Sequence, residues 1–417
     1  MRKMTCDVAV IGGGAAGMFA AAIASEYGVK TALFEKNQYL GRKLGITGKG
    51  RCNITNNVPV RDVIANIPNN GKFLYSAMNA FSPEDTMNFF ERIGVKLKTE
   101  RGNRVFPQSD KAAQVVTALR NYLINNHVEI INEKAEKIIT DGQAAVGVRT
   151  ENTEVKCKCV ILATGGLSYP KTGSTGDGYE MAKKLGHSVT GLRPSLVPLE
   201  EAGDKCAKMQ GLSLRNVSFS VYNSKNKEVF SGFGEMLFTH FGVSGPLVLS
   251  ASAHMRDMDR EKYYGLIDLK PALDDKKLDL RILRDFEKYS NRDIENALTD
   301  LIHKTMIPAV IEASGIPNDT KANSITREQR ARLLHNIKNF RVDIKGPRPI
   351  DEAIVTSGGV NIKEINPSTM ESRLVPGLYF AGEIIDADAY TGGFNLQIAW
   401  ATGYAAGCSA AMRVLEQ

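Results

Sequence analysis

Residues 6–17, with the sequence CDVAVIGGGAAG, decide the fold of this chain. The apolar run CDVAVI ends in glycines, which is typical of a buried parallel strand. Gly12, Gly14 and Gly17 then fill a G-x-G-x-x-G frame that opens a helix. Gly12 permits a tight turn, Gly14 lets a pyrophosphate approach the backbone, and Gly17 allows close packing of helix on strand. The first amides of the helix would then face the phosphates.

The next residues complete a βαβ unit. An alanine-rich helix is predicted over 15–27 and ends at Gly28, and a second strand over 29–34 leads to Glu35. Glu35 follows Gly17 by 18 residues. A carboxylate at this place can accept hydrogen bonds from the hydroxyls of an adenosine ribose, which favours FAD or NAD over NADP.

Four further segments favour FAD over NAD. The segment 41–43 (GRK) leads into a basic loop over 47–56 that is able to wrap a diphosphate, although a mobile surface loop is the alternative. The strand before 163–166 (ATGG) would pass under the cofactor, and 382–383 (GE) would place a carboxylate near it. The turn 391–395 (TGGFN) opens an uncharged helix whose N-terminus would stabilise negative charge on a reduced flavin.

Composition excludes several classes of protein. A chain of 417 residues, 43% apolar and 24% charged, is typical of a globular protein with two or three domains. Its charges are interleaved and its net charge is only +7, so we expect no nucleic-acid partner. The cysteines show no metal-ligand spacing, which indicates reduced thiols, a cytoplasmic location and no metal site. The uncharged stretch 389–412 contains several polar residues, so a buried helix is expected there and no membrane contact.

Two proline-rich junctions, 193–198 and 346–349, predict that the chain enters and leaves an inserted domain. The predicted domains are an FAD-binding domain over 1–192 and 347–417, and a substrate domain over 193–346 that is β-rich over about 196–270 and helical over about 275–340.

The chain resembles the YhiN-like and BaiN-like flavoproteins, a bacterial family within the glutathione-reductase-type FAD superfamily. The resemblance covers nearly the whole chain, and its most specific segments are 41–56, 166–178 (GLSYPKTGSTGDG), 238–246 (FTHFGVSGP), 356–360 (TSGGV) and 377–397. It implies an α/β fold in which a Rossmann-like FAD domain carries an inserted β-barrel-like plus helical domain. The activities of the family include enone reduction in steroid-type substrates and oxidation of a small aminoketone, so the resemblance leaves the substrate open.

Motifs and resemblance together define the expected cofactor contacts. These are Gly12, Gly14, Ala15, Ala16, Gly17, Glu35, Lys36, Arg42, Lys43, Gly50, Arg51, Cys52, Asn53, Ala163, Thr164, Gly165, Gly382, Glu383, Gly392, Gly393, Phe394, Asn395, Leu396 and Gln397.

Proton transfer must accompany hydride transfer to most carbon substrates, and two residues are candidates for it. His240 lies in the FTHFGVSGP segment of the inserted domain, where a structural role is the alternative, and Tyr390 directly precedes the TGGFN turn. Tyr169 is a weaker candidate. Asp386 and Asp388 are expected to cap the turn. The remaining histidines are expected to lack partners and are His127, His187, His254, His303 and His335.

The sequence therefore predicts an FAD-dependent oxidoreductase that acts on a small or hydrophobic carbonyl, enone or amine. No second G-x-G-x-x-G unit follows a strand, so NAD(P)H would be a transient electron donor. One alternative is an oxidase of amines or aminoketones that returns electrons to oxygen. The other is a flavin-binding protein without enzymatic activity or an RNA-associated one.

Overall fold

The computed structural model describes all 417 residues and divides them into two compact units. The first unit, termed here the split unit, is Met1–Ser195 with Ile350–Gln417, and the second, termed the inserted unit, is Leu196–Pro349. Each crossing lies three residues beyond the position expected from the prolines.

The first part of the split unit alternates short strands with helices. Its elements are β1 (Arg2–Thr5), β2 (Val8–Ile11), α1 (Ala15–Glu26), β3 (Thr31–Phe34), α2 (Arg42–Gly50), β4 (Thr55–Asn56), α3 (Val60–Ala65), α4 (Tyr75–Ala80), α5 (Pro83–Arg92), β5 (Leu97–Glu100), β6 (Arg104–Pro107), α6 (Ala112–Asn125), β7 (Glu129–Ile131), β8 (Lys137–Asp141), β9 (Ala144–Arg149), β10 (Thr153–Lys156), β11 (Cys159–Leu162), α7 (Asp177–Lys184) and β12 (Arg193–Ser195).

The inserted unit is a barrel with a helical excursion. Its elements are β13 (Leu199–Glu201), α8 (Lys205–Lys208), β14 (Ser213–Asn223), β15 (Glu228–Phe238), β16 (Gly242–Ser244), α9 (Pro246–Ser252), β17 (Tyr263–Asp268), α10 (Asp275–Lys288), α11 (Ile294–Ala297), α12 (Ile307–Ala313), α13 (Arg327–Lys338) and β18 (Phe340–Pro347).

The chain then returns to the split unit. The last elements are β19 (Val355–Ser357), β20 (Leu378–Phe380) and α14 (Phe394–Leu415). Short 3-10 turns occupy Gly71–Leu74, Pro170–Thr172, Lys304–Met306, Ala322–Ser324, Ile350–Glu352, Ile362–Glu364 and Gly382–Ile384.

A five-stranded parallel sheet in the order β20-β11-β2-β3-β7 organises the split unit. Every residue of β2, β3 and β11 is buried, as expected for a parallel sheet that is covered on both faces. Strand β20 comes from the C-terminal part of the chain and pairs with β11, which itself pairs with β2. The two ends of the sequence therefore meet in one sheet.

Helices α1 and α14 pack directly against each other. A Cβ atom on Gly403 would lie 2.8 Å from the carbonyl oxygen of Ala16, and one on Gly407 would lie 2.6 Å from that of Ala20. Glycine at these two positions of α14 is thus what permits the close approach. Beside them Phe19 of α1 contacts the fully buried Trp400, with ring centroids 5.5 Å apart.

The inserted unit is closed in the order β13-β16-β15-β14-β17-β18. Burial alternates along β17 and β18, so one face of each strand points into the barrel core. Strand β18 follows the helices α10 to α13 and closes the barrel by pairing with β17 and β13. Closure leaves the barrel without an exposed edge.

None of the helices, α14 included, combines the length and the apolar character that a membrane span requires.

Candidate functional site

A cavity in the split unit brings together the ends of several parallel strands. It encloses about 1360 Å³ of empty space, part of which is open solvent. Its walls are the turn after β2, the residues after β3 and β11, the start of α2, and the first turn of α14. Ligands of open parallel sheets bind outside the carboxyl ends of the strands, and this cavity lies there.

The glycine turn between β2 and α1 forms one wall. Gly12 has a φ of +107°, and a Cβ on it would lie 2.5 Å from the carbonyl oxygen of Ala163. A Cβ on Gly17 would lie 1.8 Å from the carbonyl oxygen of Gly12, so the helix can start here only with glycine. A Cβ on Gly14, in contrast, would have no protein atom within 4 Å. Gly14 therefore faces the open part of the cavity.

The carboxylate of Glu35 is buried at the end of β3 and is held by three N–H donors. Its Oε2 accepts from the Gly13 amide at 2.8 Å, and its Oε1 accepts from the Asn37 amide and side chain at 2.8 and 2.6 Å. A carboxylate offers about four acceptor sites, so one remains for a hydroxyl in the cavity.

The cations of the cavity differ in their partners. Lys36 and Lys134 both pair with Asp177, at 2.5 and 3.2 Å, and Lys43 pairs with Glu383 at 2.7 Å. Burial acts to raise the pKa of Asp177, but hydrogen bonds from Lys36 and its neighbours outweigh it and lower that pKa. Arg42 donates only to the amide oxygen of Asn37, at 2.8 Å, and pairs with no carboxylate. Its positive charge thus remains available to an anion.

Glu383 holds together three segments around the cavity. Its Oε1 accepts from the Thr356 amide at 2.9 Å and from the Ser168 hydroxyl at 3.0 Å. Its Oε2 accepts from Lys43, whose ammonium also donates to Ser168 at 2.6 Å. Ser168 and Thr356 were not among the expected site residues, although they lie in the GLSYP and TSGGV segments that carry the family resemblance.

The turn before α14 forms the far wall. The side chain of Asn395 closes it by donating to the Ala389 carbonyl at 2.7 Å and accepting from the Ala389 amide at 2.9 Å. The side chain of Asn56, from β4, donates to the Gly392 carbonyl at 2.9 Å. Asn395 and Leu396 line the cavity, so the start of α14 faces the same space as the start of α1.

The cavity includes many of the expected cofactor residues. Those that line it are Gly12, Gly14, Ala15, Ala16, Glu35, Lys36, Arg42, Lys43, Ala163, Thr164, Gly165, Gly382, Glu383, Asn395 and Leu396. Those that do not are Gly17, Gly50, Arg51, Cys52, Asn53, Gly392, Gly393, Phe394 and Gln397.

Two of the residues outside the lining have other partners. The guanidinium of Arg51 lies 2.5 Å from Glu100 and 2.6 Å from Asp110, and stacks 4.1 Å from the ring centre of Phe106. Cys52 is completely buried, and burial raises the pKa of its thiol to about 12, so it stays protonated at neutral pH. A direct cofactor contact for these two residues stays a prediction.

Three buried side-chain polar atoms lack any hydrogen-bond partner in the protein. They are Oγ1 of Thr164, a residue that lines the cavity, Oδ1 of Asn53 and Nε of Arg413. The hydroxyl of Thr164 lies against α7 rather than in the open part of the cavity, because a Cβ on Gly178 would be 2.0 Å from it.

The candidate proton donors lie in different units. Tyr390 is partly buried at the turn before α14, and burial and the nearby carboxylate of Asp388 raise the pKa of its phenol. His240 is exposed on the loop between β15 and β16 of the inserted unit, where its ring packs edge-on against Phe241. Tyr169 has a φ of +53° and precedes the 3-10 turn at Pro170.

Asp388 and His187 have partners that the sequence did not predict. Asp388 was expected to cap the turn; it is buried and accepts from the hydroxyls of Ser195 and Ser357 at 2.8 and 2.9 Å, which join β12 and β19 to the turn. His187 was expected to lack partners, but its Nε2 lies 2.9 Å from the Ser372 hydroxyl and its Nδ1 lies 3.2 Å from Glu364. Both sets of contacts join residues that are remote in sequence, which local patterns do not reveal.

A family model described as the HI0933-like protein Rossmann domain matches residues 6–409. The chain belongs to the HI0933-like family. It is 30% identical over 411 residues to the 3-dehydro-bile acid delta(4,6)-reductase of Clostridium scindens, covering 97% of this chain and 99% of that protein. It is also 30% identical over 399 residues to the ribosomal RNA dihydrouridine synthase of Escherichia coli, covering 96% of each.

The 3-ketosteroid delta1-dehydrogenase of Sterolibacterium denitrificans has a similar fold, with a TM-score of 0.52 at 13% identity over 98% of this HI0933-like chain and 100% of that one. The predicted fold class, a Rossmann-type FAD-binding fold with an inserted barrel, is confirmed. The assignment of the chain to the FAD-dependent oxidoreductases is confirmed at the level of the family.

Proposed function

We propose that the cavity binds FAD non-covalently and that the enzyme reduces a carbon–carbon double bond conjugated to a carbonyl group. The observation that carries this proposal is that one cavity is lined by the glycine turn after β2, by Glu35 and by the first turn of α14. These are the elements that a dinucleotide with a flavin at one end would need.

The chemistry of the lining suits FAD. Gly14 leaves room for a pyrophosphate at the N-terminus of α1, and Arg42 is a cation without a carboxylate partner beside it. Glu35 has an acceptor site left for a ribose hydroxyl.

The reaction adds a hydride to the carbon β to the carbonyl and a proton to the α carbon. FAD bound in the cavity would supply the hydride once the electron donor has reduced it. The proton must come from a protein group or from water, and Tyr390 is the donor that we propose, because it directly precedes the turn into α14, whose first residues Asn395 and Leu396 line the cavity. His240 is the alternative donor, since imidazole is the usual general acid of enzymes.

Removing the proton donor tests this assignment. Tyr390→Phe and His240→Ala should each be compared with the wild type as turnover per bound FAD. Loss of the true donor should lower turnover by roughly 10²-fold or more and leave the visible flavin spectrum unchanged. A folded variant with wild-type turnover per flavin would remove that residue from the mechanism.

The substrate class follows from chemistry that two relatives share. Both names describe the reduction of a double bond that is conjugated to a carbonyl group: one relative is a 3-dehydro-bile acid delta(4,6)-reductase and the other a dihydrouridine synthase. Anaerobically reduced enzyme should therefore be mixed with a 4-ene-3-ketosteroid, a uridine-containing ribosomal RNA fragment and a small aminoketone. We expect only an enone-type substrate to reoxidise the flavin, and we expect its product to have gained two hydrogen atoms.

The electron donor is proposed to be NADH or NADPH, bound transiently. Anaerobic addition of each nucleotide to the oxidised enzyme should bleach the flavin absorbance at a rate that supports turnover. An oxidase of amines or aminoketones would instead be reduced by the amine and reoxidised by oxygen, with both nicotinamides inert.

Reduction of uridine in ribosomal RNA is the second candidate function. The sequence led us to expect no nucleic-acid partner, but a relative named for a ribosomal RNA reaction does not support that expectation. The β5–β6 hairpin favours this candidate, because Arg101 and Arg104 at its tip pair with no carboxylate. The hairpin is also linked to the turn before α14, since the side chain of Asn56 donates to the carbonyls of both Gly102 and Gly392. RNA binding that weakens steeply with salt, and that Arg101→Gln with Arg104→Gln abolishes, would support it.

A further inference from the structure

The interior polar side chains of α14 each bond to a different segment around the cavity. Asn395 closes the 389–390 turn, Trp400 donates to the carbonyl of Ile54 at 2.8 Å, and Thr402 accepts from the amide of Gly382 at 2.9 Å. Between them Gln397 bonds to three further residues. The helix is therefore fixed by side-chain hydrogen bonds in addition to apolar packing.

Gln397 is completely buried and lies where three elements meet. Its Oε1 is 2.6 Å from the hydroxyl of Thr55 in β4 and 2.8 Å from that of Thr86 in α5, and its Nε2 donates to the carbonyl of Phe81 at 3.0 Å. Because these bonds occupy both ends of the amide, the side chain is directed into the protein and away from the cavity lining.

Strand β4 also contacts the turn itself. A Cβ on Gly393 would lie 2.4 Å from the carbonyl oxygen of Thr55, so the turn lies directly against the strand. Asn56 holds the carbonyl of Gly392 from the next position of β4. The residues Thr55 and Asn56 thus support both the turn before α14 and, through Gln397, the first turn of the helix.

We propose that Gln397 is a positioning residue for the flavin and makes no direct contact with it. With Thr55 it fixes the N-terminus of α14 at the cavity, and this rests on the proposal that FAD binds there. A helix N-terminus carries roughly half a positive charge, and its effect falls off within the first turn. A small displacement of α14 therefore weakens the stabilisation of the negatively charged, reduced cofactor.

Substitutions of Thr55 separate this role from a merely structural one. Thr55→Val removes the hydroxyl and keeps the shape, whereas Thr55→Ser keeps the hydroxyl. Thr31→Val is the matched control, because Thr31 is a buried threonine at the start of β3 whose hydroxyl bonds only locally, to the Val29 carbonyl at 3.1 Å. Gln397→Met removes the amide at similar volume.

The readout is the ratio of reduced to oxidised enzyme-bound flavin in equilibrium with a reference dye, together with the melting temperature. Thr55→Val and Gln397→Met should lower that ratio by roughly threefold to tenfold, the size of one helix-terminus interaction. Thr55→Ser and Thr31→Val should keep the wild-type ratio.

Two results would overturn the inference. One is a Thr55→Val protein that melts at a lower temperature but keeps the wild-type ratio, since its hydroxyl would then serve stability alone. The other is a Thr55→Ser protein shifted as far as Thr55→Val. Failure of the wild-type protein itself to bind FAD would instead refute the proposed function, so the two failures are distinguishable.

Discussion

Helices α1 and α14 both begin at the cavity, and both begin at a glycine, but they are held there in different ways. The start of α1 is fixed mainly by backbone, because Gly12 and Gly17 bring strand, turn and helix into contact, and a single polar side chain, that of Glu35, bonds to the turn. The start of α14 is fixed by side chains, which reach β4, α5 and the 389–390 turn. A site can therefore be built from one motif that is compact in sequence and one that is spread along the whole chain.

The largest effect should come from filling the glycine turn of α1. Gly17→Ala places a Cβ 1.8 Å from the carbonyl oxygen of Gly12, so strand and helix must separate. We expect a loss of at least ~3 kcal/mol in the free energy of unfolding, or no soluble protein, because the main chain is over-packed. Urea denaturation of the variant and the wild type measures this loss in the free energy of unfolding.

Gly14→Ala is the matched variant at the same turn. Its Cβ meets no protein atom within 4 Å, so the free energy of unfolding without cofactor should stay within about 0.5 kcal/mol of the wild-type value. FAD affinity should nevertheless fall at least about tenfold, since the methyl group occupies the phosphate side of the turn. Unchanged FAD affinity would show that the cofactor does not approach this backbone.

A smaller effect is expected on the α14 side. Trp400→Phe removes the donor to the buried carbonyl of Ile54 and part of a ring packed against Phe19 and Phe90. The free energy of unfolding should fall by about 2–4 kcal/mol, measured by urea denaturation. A change below 1 kcal/mol would show that mainly backbone packing holds α14, as it holds α1.

The free energy of unfolding should also depend on pH through His187, which packs against the C-terminal strand β20. His187 is buried against Phe380 of β20 and bonds to Ser372, and burial lowers its pKa below the ordinary value. A His with a depressed folded-state pKa contributes stability above its unfolded pKa of about 6.5, and this contribution is lost as the pH falls. The loss of unfolding free energy between pH 7 and pH 5 should therefore be smaller in His187→Asn than in the wild type. Equal losses would contradict this role.

The comparison also explains which parts of the molecule could be predicted. The glycine frame and Glu35 lie within one βαβ unit, and their roles depend on backbone shape that short spacing encodes. The bond between Thr55 and Gln397 joins residues 342 positions apart, and no local pattern specifies it. The sequence therefore indicated that Gln397 belongs near the cavity, but it could not show which way the side chain points.

Asp388 and His187 illustrate the same limit. Each is a polar residue in a short segment whose local surroundings favour a cap or a solvated side chain. Their partners Ser195, Ser357 and Ser372 come from distant segments that only the assembled sheet brings close. Serine carries little sequence signal, so such contacts have to be observed in the structure.

The central claim is that the two helix starts enclose one FAD molecule. Purified protein should be denatured, and the released chromophore separated by chromatography and quantified against the protein. We expect a yellow protein that releases FAD, and neither FMN nor NAD, at close to one molecule per chain. A colourless protein that also fails to bind added FAD would contradict the account.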